Sequence, residues 1–169
     1  MLHGLILITT ALSWVSECQT IINRELVYHN DKYLNELMFS IPQGIQLANV
    51  INELERTDQE NLDRCALTVA VAKFESSFNP LAKNGTCLGM FQIKPSTAAD
   101  IVKDLSFLRD RRLKSEMYNP TTSTCMFNLL IDDFTRKYHT TFGALVRYNN
   151  SWKISRRIMK YYKEIKGSS

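Results

Sequence analysis

The stretch from Thr57 to Pro80 reads TDQENLDRCALTVAVAKFESSFNP. Thr57 with Glu60 three residues later has the form of a capping box, in which each side chain accepts from the other residue's backbone N–H. A helix is therefore predicted from about Asp58 to Ser76. Its middle, Ala66 to Ala72, is apolar on almost every side. Such a helix has no face to offer to water, so it is expected to be the central buried one. Asn79-Pro80 ends it, because the residue before a proline is pushed out of the helical region. Just inside that end stands Glu75, with Val71 four residues before it, Phe74 beside it and Phe78 three residues after it. Apolar neighbours desolvate an ionised carboxylate, and the negative pole of the helix repels it. Both raise its pKa, and a carboxyl group still protonated near neutral pH can act as a general acid. A lone glutamate at a frayed helix end is more often plain surface, so the functional reading depends on the segments that follow.

Outward from this helix the chain continues in helical patterns. Residues 21–38 form a first candidate. Pro42 and Gly44 are expected to punctuate, after which Leu47, Val50, Ile51 and Leu54 follow at helical spacing. Residues 81–95 suggest a loop with a short extended piece. Pro95-Ser96 opens a helix with Ala98, Ile101, Val102 and Leu105 on one side. Asn119-Pro120 precedes a long helix over 122–138, and residues 142–148 suggest another. The last covers 152–166, with Ile154, Ile158, Tyr161, Tyr162 and Ile165 as its inward stripe. Few segments alternate with period two, and 6 glycines and 4 prolines in 169 residues argue against a turn-rich β-sandwich. The fold class is mostly α, in a single domain.

Two later segments bear on Glu75. The first is Gly89-Met-Phe-Gln-Ile-Lys-Pro-Ser-Thr-Ala98. Its Gly89 would let the backbone approach a ligand closely, and Gln92 has a donor and an acceptor suited to sugar hydroxyl and acetamido groups. The second is Tyr148-Asn149, where Tyr148 can hold a substrate or hydrogen-bond the acid. Taken alone, the first is more often a glycine turn with a core methionine and isoleucine.

Taken in order, these segments resemble a known family. Glu75-Ser76, Phe78-Asn79-Pro80, Gly89-Met90-Phe91-Gln92-Ile93, Pro95, Thr97-Ala98, Asn119-Pro120 and Tyr148-Asn149 look like the soluble lytic transglycosylase (SLT) domain, which is similar in fold to goose-type lysozyme. The resemblance covers roughly residues 60–165. It implies a lysozyme-like helical domain acting on peptidoglycan glycan strands, with Glu75 as catalytic acid and base. Ser76, Gly89, Met90, Gln92, Tyr148 and Asn149 would be its substrate-binding residues. It also implies cleavage between MurNAc and GlcNAc to give 1,6-anhydro-MurNAc, with no cofactor and no metal. The chain departs from the family pattern where Asn150-Ser151 replaces the usual Ala-Gly after Tyr-Asn, and where Phe91 and Met90 replace methionine and leucine. Ser123, Thr124 and Phe127 also stand where Asn, Ile and Gly are usual. The alternatives are a lysozyme-like hydrolase and a wall-binding assembly protein without turnover.

Most glycosidases use two carboxylates, and no second one stands out: Asp132 and Asp133 fall mid-helix, while Asp100 and Asp104 look solvent-facing. The net charge of +4 suits an anionic polymer. No dense basic run with interleaved aromatics appears, which argues against nucleic acid. The richest basic stretch is Lys153, Arg156, Arg157, Lys160, Lys163 and Lys166, a pattern more often a solvated face than a binding one.

Residues 1–18, MLHGLILITTALSWVSEC, have an uncharged apolar core from Leu2 to Val15, short for a membrane span and suited to a signal peptide. Cleavage is expected near Cys18, although no lysine or arginine precedes the apolar core. An uncleaved anchor is the alternative, and a lipidated Cys18 is disfavoured by Glu17. This divides the chain into a leader (1–18), an N-terminal helical extension (19–56) and a catalytic domain (57–169). The expected location is periplasmic or cell-envelope, or else a virion, and the possible partners include a secretion, conjugation or virion assembly. Cys65, Cys87 and Cys125 show no zinc-ligand spacing. From where the family fold places their segments, a Cys87–Cys125 bridge is conceivable, with Cys65 a buried free thiol.

Overall fold

The computed structural model describes residues 2–29, 31–103 and 112–167, with side chains placed at 13–27, 32–103 and 112–167. The apolar side chains expected to form the leader core up to residue 12, and the expectations for Asp104 and Leu105, lie outside the described residues. Eight α-helices are present among them: α1 (Leu2–His29), α2 (Leu34–Ile51), α3 (Asp58–Ser76), α4 (Pro95–Ile101), α5 (Leu113–Glu116), α6 (Pro120–Tyr138), α7 (Thr141–Asn149) and α8 (Trp152–Gly167). A single turn of 3₁₀ helix, Asp31–Tyr33, leads into α2, and two short strands, β1 (Lys83–Asn84) and β2 (Cys87–Leu88), pair antiparallel. The mostly α class is as expected.

Helix α3 is the axis of the molecule. Its capping box forms as predicted: the Thr57 N–H donates to Glu60 Oε2 at 2.7 Å and the Glu60 N–H to Thr57 Oγ1 at 3.2 Å. The Thr57 N–H, and with it the Thr57 hydroxyl donating to the same oxygen at 2.9 Å, hold the Glu60 carboxyl below its ordinary pKa. Cys65 to Ala72 are all buried, with α1, α2, α6 and α8 packed around them. Helix α6 starts where Asn119-Pro120 indicated, with Asn119 Oδ1 accepting from the Thr122 N–H at 3.0 Å.

The segment before α3 differs from expectation at Pro42 and Gly44. Pro42 and Gly44 do not break the helix; both lie inside α2 and are buried. A Cβ on Gly44 would sit 2.5 Å from Thr124 Cβ and 2.6 Å from the Thr121 carbonyl oxygen. The missing side chain is thus what lets α2 lie directly on α6, and that packing outweighs the local cost of a proline inside a helix. Residues 19–56 also share the core of the rest of the chain: Ile22, Leu26, Leu37, Ile41 and Ile45 are fully buried in one cluster with Val69, Phe127 and Ile158.

The cysteine expectations are corrected. Cys18 and Cys65 form a disulfide that ties α1 to α3, and Cys87 and Cys125 are free. Cys65 is therefore a half-cystine and not a thiol, and no Cys87–Cys125 bridge exists. Spacing gives no access to this pairing, because only the packing of α1 against α3 brings Cys18 beside Cys65.

Candidate functional site

Glu75 occupies the last turn of α3, and the chain reverses immediately after it. Ser77 (φ 52°) and Phe78 (φ 64°) both adopt the left-handed conformation. For residues with a Cβ this costs about 1 kcal/mol each or more. The bend is held by N–H bonds from Ser77 to the Lys73 carbonyl (3.1 Å) and from Phe78 to the Ala72 carbonyl (3.2 Å), and by complete burial of the Phe78 ring. The β1–β2 ribbon and the turn Gly89–Gln92 follow. That turn is closed by the Gln92 N–H on the Gly89 carbonyl at 3.2 Å and by the exchange of backbone bonds between Leu88 and Ile93. Glu75, β1, β2 and this turn meet α6, α7 and the first turn of α8 around a cleft of about 530 Å³.

Within the cleft Glu75 lies beside Gln92, Tyr148 and Asn149. The Glu75 carboxyl has no hydrogen bond or ion pair among the described residues. Burial alone pushes it up to about 7. It is also the one acidic residue among the described residues that line the cleft. Tyr148 donates its hydroxyl proton to the Phe91 carbonyl, not to the acid. Its ring packs edge-on against Phe127, which stacks on Phe91 at 4.5 Å between centroids. Burial, then the nearby Glu75 and Cys87, hold the phenol well above its ordinary pKa, so it stays neutral. The Gln92 amide donates to the Gly89 carbonyl at 2.8 Å, which leaves Oε1 buried without a protein partner. Asn149 Nδ2 is buried and unpartnered as well. One acceptor and one donor, both withheld from bulk water, thus belong to the same cleft as a carboxyl raised to about 7. Buried polar atoms normally find partners, so this arrangement suits a ligand bearing hydroxyl and amide groups.

Ser76, Gly89 and Met90 are not among the cleft-lining residues. Ser76 Oγ donates back to the Ala72 carbonyl at 3.3 Å, and Met90 is fully buried in the core. Gly89 is indispensable for a different reason than a ligand's approach. At φ 74° its Cβ would meet the Met117 carbonyl oxygen at 2.0 Å, so a side chain is excluded by the fold itself. Sequence reasoning did not assign Asn84, Cys87, Phe134, Arg147, Asn150 and Ile154 to the cleft they line. Arg147 and Asn150 flank the Tyr148-Asn149 motif and were within reach of that signal. Phe134 comes from an ordinary apolar position on α6, where nothing local marks it.

The departure in the third motif has a structural account. Asn150 ends α7 in the left-handed conformation (φ 50°), which asparagine tolerates better than most residues. Ser151 then precedes α8 as its cap, its Oγ accepting from the Ile154 N–H at 3.3 Å and its carbonyl from the Ser155 hydroxyl. The Asn-Ser pair therefore still makes the turn between two helices.

The other acids are placed elsewhere. Asp132 accepts from Arg56 Nη2 (2.5 Å), Arg64 Nη2 (2.6 Å) and Asn52 Nδ2 (2.9 Å), which joins α2, α3 and α6. Asp133 and Asp100 line a neighbouring hollow of about 650 Å³ that shares Thr97, Leu130, Phe134 and Arg147 with the cleft. Asp133 pairs there with Lys137 at 2.7 Å. A further hollow of about 540 Å³ lies against α1 and α3, and its Asp63 and Lys166 pair with each other at 2.7 Å.

The site is thus a half-buried glutamate, raised to about 7, that ends an apolar helix beside a polar cleft. The family model for the transglycosylase SLT domain matches residues 52–168, and the chain belongs to that family. Membership carries lytic-transglycosylase-type activity on peptidoglycan. The match leaves out α1 and α2 and begins at residue 52, a few residues before α3. Comparison with curated proteins and with solved structures gave no match.

Proposed function

We propose that the chain is a peptidoglycan lytic transglycosylase that cleaves the β-1,4 bond between MurNAc and GlcNAc and closes a 1,6-anhydro ring on MurNAc. The observation that carries this reading is the Glu75 carboxyl, raised to about 7 by burial and the one acid among the described residues lining the cleft. Protonated Glu75 donates to the bridging oxygen as the bond from C1 breaks, and GlcNAc leaves as an alcohol. The substrate's own N-acetyl oxygen stabilises the cationic C1. The Glu75 carboxylate then takes the proton of the C6 hydroxyl, whose oxygen bonds to C1 and regenerates the acid. A water-activating second carboxylate, which inverting hydrolysis requires at about 6.5–9.5 Å, has no counterpart among the described cleft residues. Gln92 Oε1 and Asn149 Nδ2 suit the hydroxyl and acetamido groups of the sugars.

Export to the periplasm or cell envelope is part of the same reading. Its supports are the uncharged apolar run Leu2–Val15 and the Cys18–Cys65 bridge, a bond that persists in oxidising compartments. Retention of that bridge requires any cleavage of the leader to fall before Cys18. Service within a secretion, conjugation or virion assembly is compatible with it.

Digestion of purified sacculi, borohydride reduction and mass spectrometry of the products provide the test. Products that resist reduction and carry an anhydro end are expected. Quantitative uptake of hydrogen would replace the lyase by a hydrolase, and no released product would favour a wall-binding protein.

A further inference from the structure

The basic stretch of α8 plays no part in the glycan chemistry. The helix carries six cations, Lys153, Arg156, Arg157, Lys160, Lys163 and Lys166, against one acid, Glu164. Two of the six are engaged with the protein: Lys166 pairs with Asp63 at 2.7 Å, and the Arg157 guanidinium lies 5.3 Å from the centre of the Phe74 ring. Lys160 reaches Glu164 only at 3.8 Å. Lys153, Arg156 and Lys163 have no acidic partner among the described residues. With Lys160 they recur every three or four residues and are all exposed, so they form one stripe along a 16-residue helix, about 24 Å long.

The stripe also has an apolar component. Trp152, the first residue of α8, is 62% exposed, and its ring meets Phe142 edge-to-face at 5.0 Å. Phe142 and Met159 floor an open hollow of about 410 Å³ whose remaining lining is Arg156, Lys160 and Lys163. Three cations around an apolar floor, with an exposed indole at one end, match a phosphate headgroup above the start of an alkyl chain. The stripe lies on the outer face of the helix and not in a groove, which suits a flat surface better than a strand. The Trp152 and Phe142 rings pack on each other and are not splayed to receive bases.

We propose that this α7–α8 face docks the protein on an anionic phospholipid bilayer. Ile154, two residues from Trp152 and therefore on the other side of the helix, lines the cleft, so docking by the stripe leaves the cleft uncovered. The inference is independent of the glycan reading.

The chain's own tryptophans report on it. Of the two present, Trp14 is 3% exposed, so a change in emission on docking belongs to Trp152. The intact chain is mixed with phosphatidylglycerol or phosphatidylcholine vesicles and followed by sedimentation and fluorescence. Salt-sensitive binding to phosphatidylglycerol with a blue-shifted Trp152 is expected, at least tenfold tighter than to phosphatidylcholine. The K153E/R156E/K163E variant is expected to bind on the order of 100-fold more weakly, since each cation near an anionic membrane contributes about 1 kcal/mol. Circular dichroism checks its fold, and K153Q/K163Q serves if the triple variant does not fold. Equal binding to both lipids overturns the proposal, as does sedimentation without a Trp152 shift. Charge-dependent retention on duplex DNA or sacculi but not on phosphatidylglycerol overturns it too and leaves a general polyanion surface.

Discussion

Glu75 and Asp132 are both carboxylates withdrawn from water on helices that pack together, α3 and α6, yet their surroundings are opposite. Asp132 faces two guanidinium groups and an amide; Glu75 faces none. In the first case burial is offset by charge pairing, and the carboxylate serves as a joint between α2, α3 and α6. In the second, burial is uncompensated, so the proton is retained until about pH 7 and can be given to a substrate. What separates a structural acid from a reactive one here is the presence of a partner, not depth in the fold.

The sharpest way to break this contrast is to remove each acid in turn. Glu75→Gln keeps the volume and removes the transferable proton, so release of soluble muropeptides is expected to fall by on the order of 10² or more with the fold retained. A zymogram with undiminished lysis would take Glu75 out of the reaction. Asp132→Asn is expected to do the reverse. It strands Arg56 and Arg64 in a buried site and should cost about 3–5 kcal/mol of stability, read by urea unfolding, while folded molecules at low temperature still cleave.

The pH dependence of the pair sharpens it further. Glu75 is raised from 4.5 to about 7, so between those values the folded chain binds more protons than the unfolded chain and stability falls with rising pH. The stabilisation is complete below about pH 4.5 and gone above about pH 7. Glu75→Gln lacks this loss, and its advantage over the wild type in thermal unfolding should grow to about 3 kcal/mol by pH 8. Cleavage by the wild type should fall about tenfold per pH unit above the Glu75 pKa. A rate flat from pH 6 to 9 would contradict the acid role. The smallest expected effect is at Gln92→Leu, which removes the unpartnered acceptor. A KM raised about tenfold with little change in kcat would mark ground-state sugar binding, and an unchanged KM would assign Gln92 to the Gly89 turn alone.

The central helix, its capping box, Asn119 at the start of α6 and the acid at the helix end were legible because each is set by neighbours within about four residues. Gln92, Tyr148 and Asn149 were legible only through the ordered motifs and not from local chemistry. Gly89 and Met90 were read from the same motif and prove to serve the turn and the core. Phe134 and Ile154 were not legible, since an apolar residue lining a cleft looks the same in sequence as one lining a core.

The amino-acid order by itself determined the helical class, the boundaries of α3 and the place of Glu75 at the end of an apolar helix, because periodicity, caps and the identity of the nearest side chains are short-range properties. Only the tertiary structure decided that Pro42 and Gly44 lie inside α2, that Cys18 bonds to Cys65 across 47 residues, and that Asp132 is neutralised while Glu75 is not. Each of those outcomes depends on which helix comes to lie against which. That is settled by the fit of whole faces, such as Gly44 on Thr124, and no window of a few residues contains it.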